Sequence, residues 1–143
     1  FFKQINDSYG HAVGDLVLTS IAELLTKTLR QSDCACRYGG EEFAFLFSET
    51  SLAEAHRLAE RLRHRVAKNP LQLSDDVCLP VTLSLGLADA SRGSLATSLK
   101  RADEALYEAK KQGRNRVFIA LSADHGSFRG SALPEKNSHS QPP

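Results

Sequence analysis

Apolar residues in this chain switch repeatedly between two spacings, and that switching limits the folds open to it. Leu18, Ile21, Leu25 and Leu29 recur at helical spacing, predicting an amphipathic helix over 14–30. Cys34 to Tyr38 is short and extended, and Phe43 to Phe47 is a continuous apolar run too short for a helix. The run predicts a strand buried on both faces. Gly39-Gly40 between them supplies the backbone freedom of a hairpin turn. Ser51-Leu-Ala-Glu54 is a capping-box pattern opening a helix with Ala55, Leu58, Ala59, Leu62 and Val66 on one stripe; Asn69-Pro70 stops it. Val81, Leu83, Leu85 and Leu87 alternate within a strand over 79–90. Leu95, Leu99, Ala102, Leu106 and Ala109 mark a last helix, with Gly113 as its cap, and a short strand follows over 117–121.

Alternating helix and strand runs predict a layered α/β domain, with helices packed on a central sheet. The chain has 143 residues, enough for one domain with a real core. After Leu121 the composition turns to Ser, Pro, Gly, His and Lys without apolar periodicity, so 1–121 reads as the domain and 122–143 as a disordered tail. The net charge of +1 gives no field that would favour nucleic acid or a membrane surface. Three cysteines, Cys34, Cys36 and Cys78, are too few for a disulfide framework and point to a reduced, cytoplasmic chain. No apolar run approaches a membrane span. The chain contains no methionine and starts at Phe1, so it reads as part of a longer protein.

Four stretches carry candidate chemistry. In "RYGGEEF", Glu41 and Glu42 stand at a tight turn, where both can project into one cleft. Such a pair suits Mg²⁺, which takes a few carboxylates plus substrate phosphates. A solvated hairpin tip is the plainer account of the turn alone. In "FKQINDSYGHAVGD", Asn6, Asp7, His11 and Asp15 are spaced through a Gly-punctuated segment before a helix. Asn and Asp there can read the edge of a base, or Asp15 can simply cap the helix. In "ALYEAKKQGRNRV", Lys110 and Arg114 can grip phosphate oxygens, or merely complement a helix dipole. Arg30 and Asp33, in "RQSD", form either a local ion pair or a joint platform for a planar ligand.

In order and spacing, these pieces together with "VTLSLGLA" resemble the catalytic domain of GGDEF-type diguanylate cyclases in its GGEEF form. The resemblance runs from Phe1 to about Ile119. It implies a palm-like α/β fold with a central, mostly antiparallel sheet, and condensation of two GTP to cyclic di-GMP and pyrophosphate in an antiparallel homodimer. It also implies Mg²⁺, with Mn²⁺ as a substitute, held by Glu41, with Glu42 as a second ligand or base. Gly39 and Gly40 would keep Cβ atoms away from the GTP phosphates. Asn6 and Asp15 would read guanine, and Lys110 and Arg114 would hold the β- and γ-phosphates with Lys3 nearby. Arg30, Asp33 and Arg61 match the family's product-inhibition site. The family carries a metal-binding Asp immediately before the Phe-Phe-Lys segment, and this sequence begins at Phe1. A chain starting there is expected to be weakly active or inactive, and a sensory domain is expected upstream. The alternative is an inactive domain that binds cyclic di-GMP or GTP without turnover.

Overall fold

The structure is a computed structural model that describes residues 2–74, 77–91 and 93–120, together with the backbone of 129–130. Among the described residues, four helices and seven short strands follow one another: α1 (Phe2–Tyr9), α2 (His11–Thr26), β1 (Cys34–Arg37), β2 (Phe43–Leu46), α3 (Leu52–Lys68), β3 (Leu71–Ser74), β4 (Val77–Leu79), β5 (Leu85–Leu87), α4 (Leu95–Lys111), β6 (Val117–Ile119) and β7 (Arg129–Gly130). The mixed α/β class expected from the alternating periods holds.

Helix starts follow their local chemistry. Ser51 caps α3 through the expected box: its hydroxyl accepts from the Glu54 N–H, and Glu54 accepts in return from the Ser51 N–H. Ser94 caps α4 by accepting from the Thr97 N–H. α2 begins three residues earlier than its leucine spacing suggested and ends at Thr26, short of Arg30. At that end Thr26 and Thr28 hydroxyls donate back to the carbonyls of Ala22 and Leu24. Such back-bonding, with β-branched residues at both positions, weakens the last turn. α1 was not expected, because Asn6, Asp7 and Ser8 mask the Phe2–Ile5–Tyr9 stripe that makes it helical. Gly10, at φ 83°, breaks the chain between α1 and α2.

Among the described residues strand pairing is mostly antiparallel, but it falls into three separate sheets rather than one continuous central sheet. β1 pairs with β2 and β3 with β4, both antiparallel; β5 pairs with β6 in parallel, and β6 with β7 antiparallel. The strand expected over 79–90 is interrupted, with no ladder at 80–84. Pro80 lacks the N–H that a ladder needs, which separates β4 from β5. β7 contributes two residues of the stretch read as a disordered tail; the rest of that stretch, and Leu121, lie outside the described residues.

The core gathers under α3 and α4. Ala105, Ala109, Phe118 and Ala120 form one buried cluster, with Ala88 packed against it. α3 contributes Ala55, Ala59, Leu62 and Val66 to the buried set, its predicted stripe less Leu58. α4 approaches β5 at Gly86, where an added Cβ would overlap the Ala102 carbonyl oxygen and the Leu106 backbone nitrogen. The strand Phe43–Leu46 is not buried on both faces as its composition suggested: Phe43, Ala44 and Phe45 are half-buried and Leu46 is exposed. β1 is its one ladder partner among the described residues, and a cleft of about 450 Å³ lies between this hairpin and α2. Among the described residues no helix is long and apolar enough to cross a membrane.

Candidate active site

The hairpin turn between β1 and β2 is shaped by its own flanking arginine. Arg37 donates from Nε to the Gly39 carbonyl at 3.3 Å and from its terminal nitrogen to the Gly40 carbonyl at 2.6 Å. The N–H groups of Tyr38 and Gly39 both donate to the Glu42 carbonyl, at 2.8 and 3.1 Å. Neither glycine has a positive φ, so left-handed freedom is not what the turn asks of them. Space is the better reason at Gly39, where a Cβ would press to 3.3 Å from Glu42 Oε2, and nothing lies within 4 Å of a Cβ built at Gly40. The N–H groups of Gly40 and Glu41 have no hydrogen-bond partner among the described residues. Two turn carbonyls are thus neutralised by Arg37 while two donors stay open.

The carboxylates differ in their surroundings. Glu42 is half-buried and its Oε1 accepts from Lys110 Nζ at 2.8 Å, tying the last turn of α4 to the hairpin. Glu41 is exposed, and no hydrogen bond or ion pair engages it among the described residues. No group of three or more His, Cys, Asp or Glu side chains lies close enough to hold a metal among those residues. Glu41 and Glu42 remain as the oxygen donors at this turn.

Asn6 on α1 packs against Gly14 on α2, the residue before Asp15. A Cβ at Gly14 would overlap Asn6 Oδ1 and would stand 3.2 Å from Phe2 Cζ. Asn6 Oδ1 is buried and accepts no hydrogen bond, a costly state for an amide oxygen. Asp15 does not cap α2: the cap position is Gly10, and Asp15 lies in the second turn, exposed, on the wall of the 450 Å³ cleft with Leu18, Cys36, Phe43 and Phe45. Lys3, Asp7 and His11 are exposed on α1 and at the start of α2.

Arg114 follows α4 by one turn and is exposed. It sits in a left-handed run with Gly113 and Asn115, at φ 114°, 61° and 46°. At the open end of the hairpin, Arg30 and Asp33 form no ion pair with each other. Asp33 instead accepts from the backbone N–H of Arg30 at 2.9 Å and of Ser48 at 3.3 Å. Arg30 therefore leaves the helix-end position expected for it and sits in the turn after α2, while Arg61 is exposed on α3.

The structure thus joins Glu42 with Lys110 and sets Asn6 against Gly14, the residue before Asp15. It leaves Glu41, Arg30 and Arg61 exposed. Arg37 and Arg63 escaped the sequence reading. Arg37 was legible in principle, being the one cation in strand register with the turn.

Comparison with known proteins agrees with the motifs. The family model described as "Diguanylate cyclase, GGDEF domain" matches residues 1–116. The chain is 43% identical over 122 residues to Diguanylate cyclase A of Treponema denticola, covering 84% of this chain and 33% of that protein. It is 47% identical over 120 residues to the response regulator PleD of Caulobacter vibrioides, covering 82% of this chain and 26% of that one. The GGDEF domain of DgcB from Caulobacter crescentus, solved in complex with c-di-GMP, superposes with a TM-score of 0.79 at 36% identity, covering 85% of this chain and 72% of that one. The chain spans a third or less of these two curated relatives. With a family match over most of its length and this agreement of fold, the chain belongs to the GGDEF domain family of diguanylate cyclases.

Proposed function

We propose that the domain condenses two GTP molecules to cyclic di-GMP and pyrophosphate as a Mg²⁺-dependent homodimer, each copy bringing one nucleotide. The observation that carries this reading is the Lys110–Glu42 contact at 2.8 Å. It joins a phosphate-type cation to the carboxylate turn from 68 residues away, as a nucleotide site spanning both elements requires.

Glu41 and Glu42 fit the metal in kind, as hard oxygen donors one or two of which normally accompany substrate phosphates. Mg²⁺ held there, or Mn²⁺ in its place, would neutralise phosphate charge and favour ionisation of the attacking hydroxyl. The chain's own residues do the rest. Lys110 and Arg114 grip the β- and γ-phosphates, one as a point charge and the other as a planar fork, with Lys3 adding charge nearby. The open N–H groups of Gly40 and Glu41 offer further donors to phosphate oxygens. Asn6 and Asp15 accept from and donate to the guanine edge, which separates GTP from ATP. Each ribose 3′-OH gives up its proton, with Glu42 assisting, and its oxygen bonds to the α-phosphorus of the facing nucleotide. The bond from that phosphorus to pyrophosphate breaks. Two such transfers close the ring, so two facing copies are needed.

Arg30, Asp33 and Arg61 form a separate site for the product. Support comes from the exposed Arg30 and Arg61 side chains and from the c-di-GMP held by the DgcB domain. The GTP requirement assigns the domain to the cytoplasm.

The test is to incubate the purified intact protein with GTP and Mg²⁺ and identify the product by mass. Cyclic di-GMP is expected, and Glu41→Ala abolishes it while the circular dichroism spectrum is unchanged. A monomeric cyclic nucleotide, or tight cyclic di-GMP binding with no turnover, overturns the proposal.

A further inference from the structure

Residues 113–115 are bound together by contacts that have no role in the scheme above. Left-handed backbone costs little at Gly113, but it is unfavourable for Arg114 and Asn115, with Asn the more tolerant of the two. Such a run persists only where its surroundings fix it. Arg114 donates its N–H to the Ala109 carbonyl at 3.0 Å, closing the end of α4. Arg116 Nε donates to the Arg114 carbonyl at 3.0 Å. The remaining hold comes from another helix. Arg63 on α3 donates from one terminal nitrogen to both the carbonyl oxygen of Asn115, at 3.1 Å, and its Oδ1, at 2.8 Å.

Arg63 is built to do this. Its side chain is only 14% exposed, and its other nitrogens are taken by Glu60: Nε donates to Oε2 at 3.0 Å, and the second terminal nitrogen lies 2.9 Å from the same oxygen and also 2.9 Å from His64 Nε2. A guanidinium fixed on one edge by a carboxylate on its own helix presents its free corner in one direction. That corner meets Asn115, the residue after Arg114. The direction in which Arg114 leaves the backbone is set by the dihedrals of this run.

We propose that Arg63 is a positioning residue for Arg114: by clamping Asn115 it holds the left-handed run that aims the Arg114 guanidinium at the nucleotide phosphates. This inference rests on the reading of Arg114 as a phosphate ligand.

The test measures GTP binding and turnover in the intact protein with Arg63→Ala, Arg114→Ala and the double variant. Arg63→Ala and Arg114→Ala each raise the KM for GTP about tenfold, the loss of roughly one charge-assisted hydrogen bond. The double variant is no worse than Arg114→Ala alone, because the clamp acts through that side chain. Arg63→Lys does not restore affinity, since an ammonium cannot span Glu60 and Asn115 together. Multiplying losses in the double variant, rescue by lysine, or an unchanged KM in Arg63→Ala would overturn the inference. Unchanged affinity in Arg114→Ala would instead overturn the phosphate reading beneath it. Should Arg63→Ala not fold, Asn115 decides: Asn115→Val, which resists positive φ, must weaken GTP binding more than Asn115→Gly, which accepts it. Equal effects of the two would sink the proposal.

Discussion

Lys110 Nζ lies 2.8 Å from Glu42 Oε1, and each side chain is 39% exposed. A pair this open to water contributes about 1 kcal/mol or less to stability. Its interest lies in what a phosphate entering the site would have to displace. In the proposed scheme, Glu42 holding Lys110 already engages part of the attraction that the cation would offer a phosphate.

Glu42→Gln therefore separates binding from chemistry. The variant is expected to lose turnover, since the proposed scheme makes Glu42 the assisting carboxylate, yet to bind a non-reactive GTP analogue up to about fivefold more tightly, the factor matching ~1 kcal/mol. Lys110→Ala does the reverse to affinity. Calorimetry beside a turnover assay reads both, and weaker analogue binding by Glu42→Gln would show that the pair does not compete with phosphate.

Asn6 leads to a second prediction, in which stability and specificity part company. Its buried Oδ1 accepts no hydrogen bond, so Asn6→Ala removes an unsatisfied group along with some packing. The variant's unfolding free energy stays within about 1 kcal/mol of wild type, while its preference for GTP over ATP falls. Gly14→Ala affects both, since the new methyl must expel the Asn6 amide; it costs about 1–3 kcal/mol, as overpacked sites do. Urea denaturation and competition by ATP check the two together.

Much of this was legible in the sequence, and the exceptions have physical causes. The capping box at Ser51 and Glu54, the stop at Asn69-Pro70 and the left-handed Gly113 were readable because each is set by neighbours in the chain. α1 was hidden by polar residues of poor helix propensity that nonetheless keep Phe2, Ile5 and Tyr9 on one side. The burial of β2 was overestimated because composition reports how apolar a strand is, not how many neighbours cover it. In the site, residue types and spacing named Glu42 and Lys110 separately, but their contact depends on how α4 lies across β5 and β6. Arg63 was invisible for the same reason: its partner, Asn115, is 52 residues away.

That packing of α4 rests on a single missing side chain. Gly86→Ala would drive a methyl group into the Ala102 carbonyl and the Leu106 nitrogen, both rigid helix backbone. Neither can yield as a flexible side chain would, so α4 must shift away from β5, at a cost of roughly 3 kcal/mol or more. A lowered melting temperature with GTP binding lost in parallel is expected. Wild-type melting would mean that α4 does not approach β5 this closely.

Acid should loosen the start of α3. The Ser51 hydroxyl and then the Ser51 N–H, both bonded to the Glu54 carboxylate, hold Glu54 below the usual carboxylate range. A depressed folded-state pKa means that this contribution is present above the unfolded value and disappears as pH falls through the folded one. Amide protection factors at Glu54 and Ala55, corrected for the intrinsic exchange rate at each pH, should therefore fall on acidification before those of the rest of α3 do. In Ser51→Ala that pH dependence flattens and the melting point drops by a few degrees at neutral pH, the scale of a lost helix cap.

Arg30 and Asp33 are adjacent members of one proposed product site, yet they are not equivalent. The Asp33 carboxylate receives the N–H groups of Arg30 and Ser48, so it ties the turn after α2 to the strand end after β2. The Arg30 guanidinium makes no such structural bond among the described residues. Arg30→Ala should thus abolish high-affinity cyclic di-GMP binding at an unchanged melting temperature. Asp33→Ala should lower both, by about 1–3 kcal/mol in stability, because two backbone donors lose their acceptor. Calorimetry with cyclic di-GMP and thermal melts on both variants distinguish the roles, and equal melting points would show that the turn does not depend on Asp33.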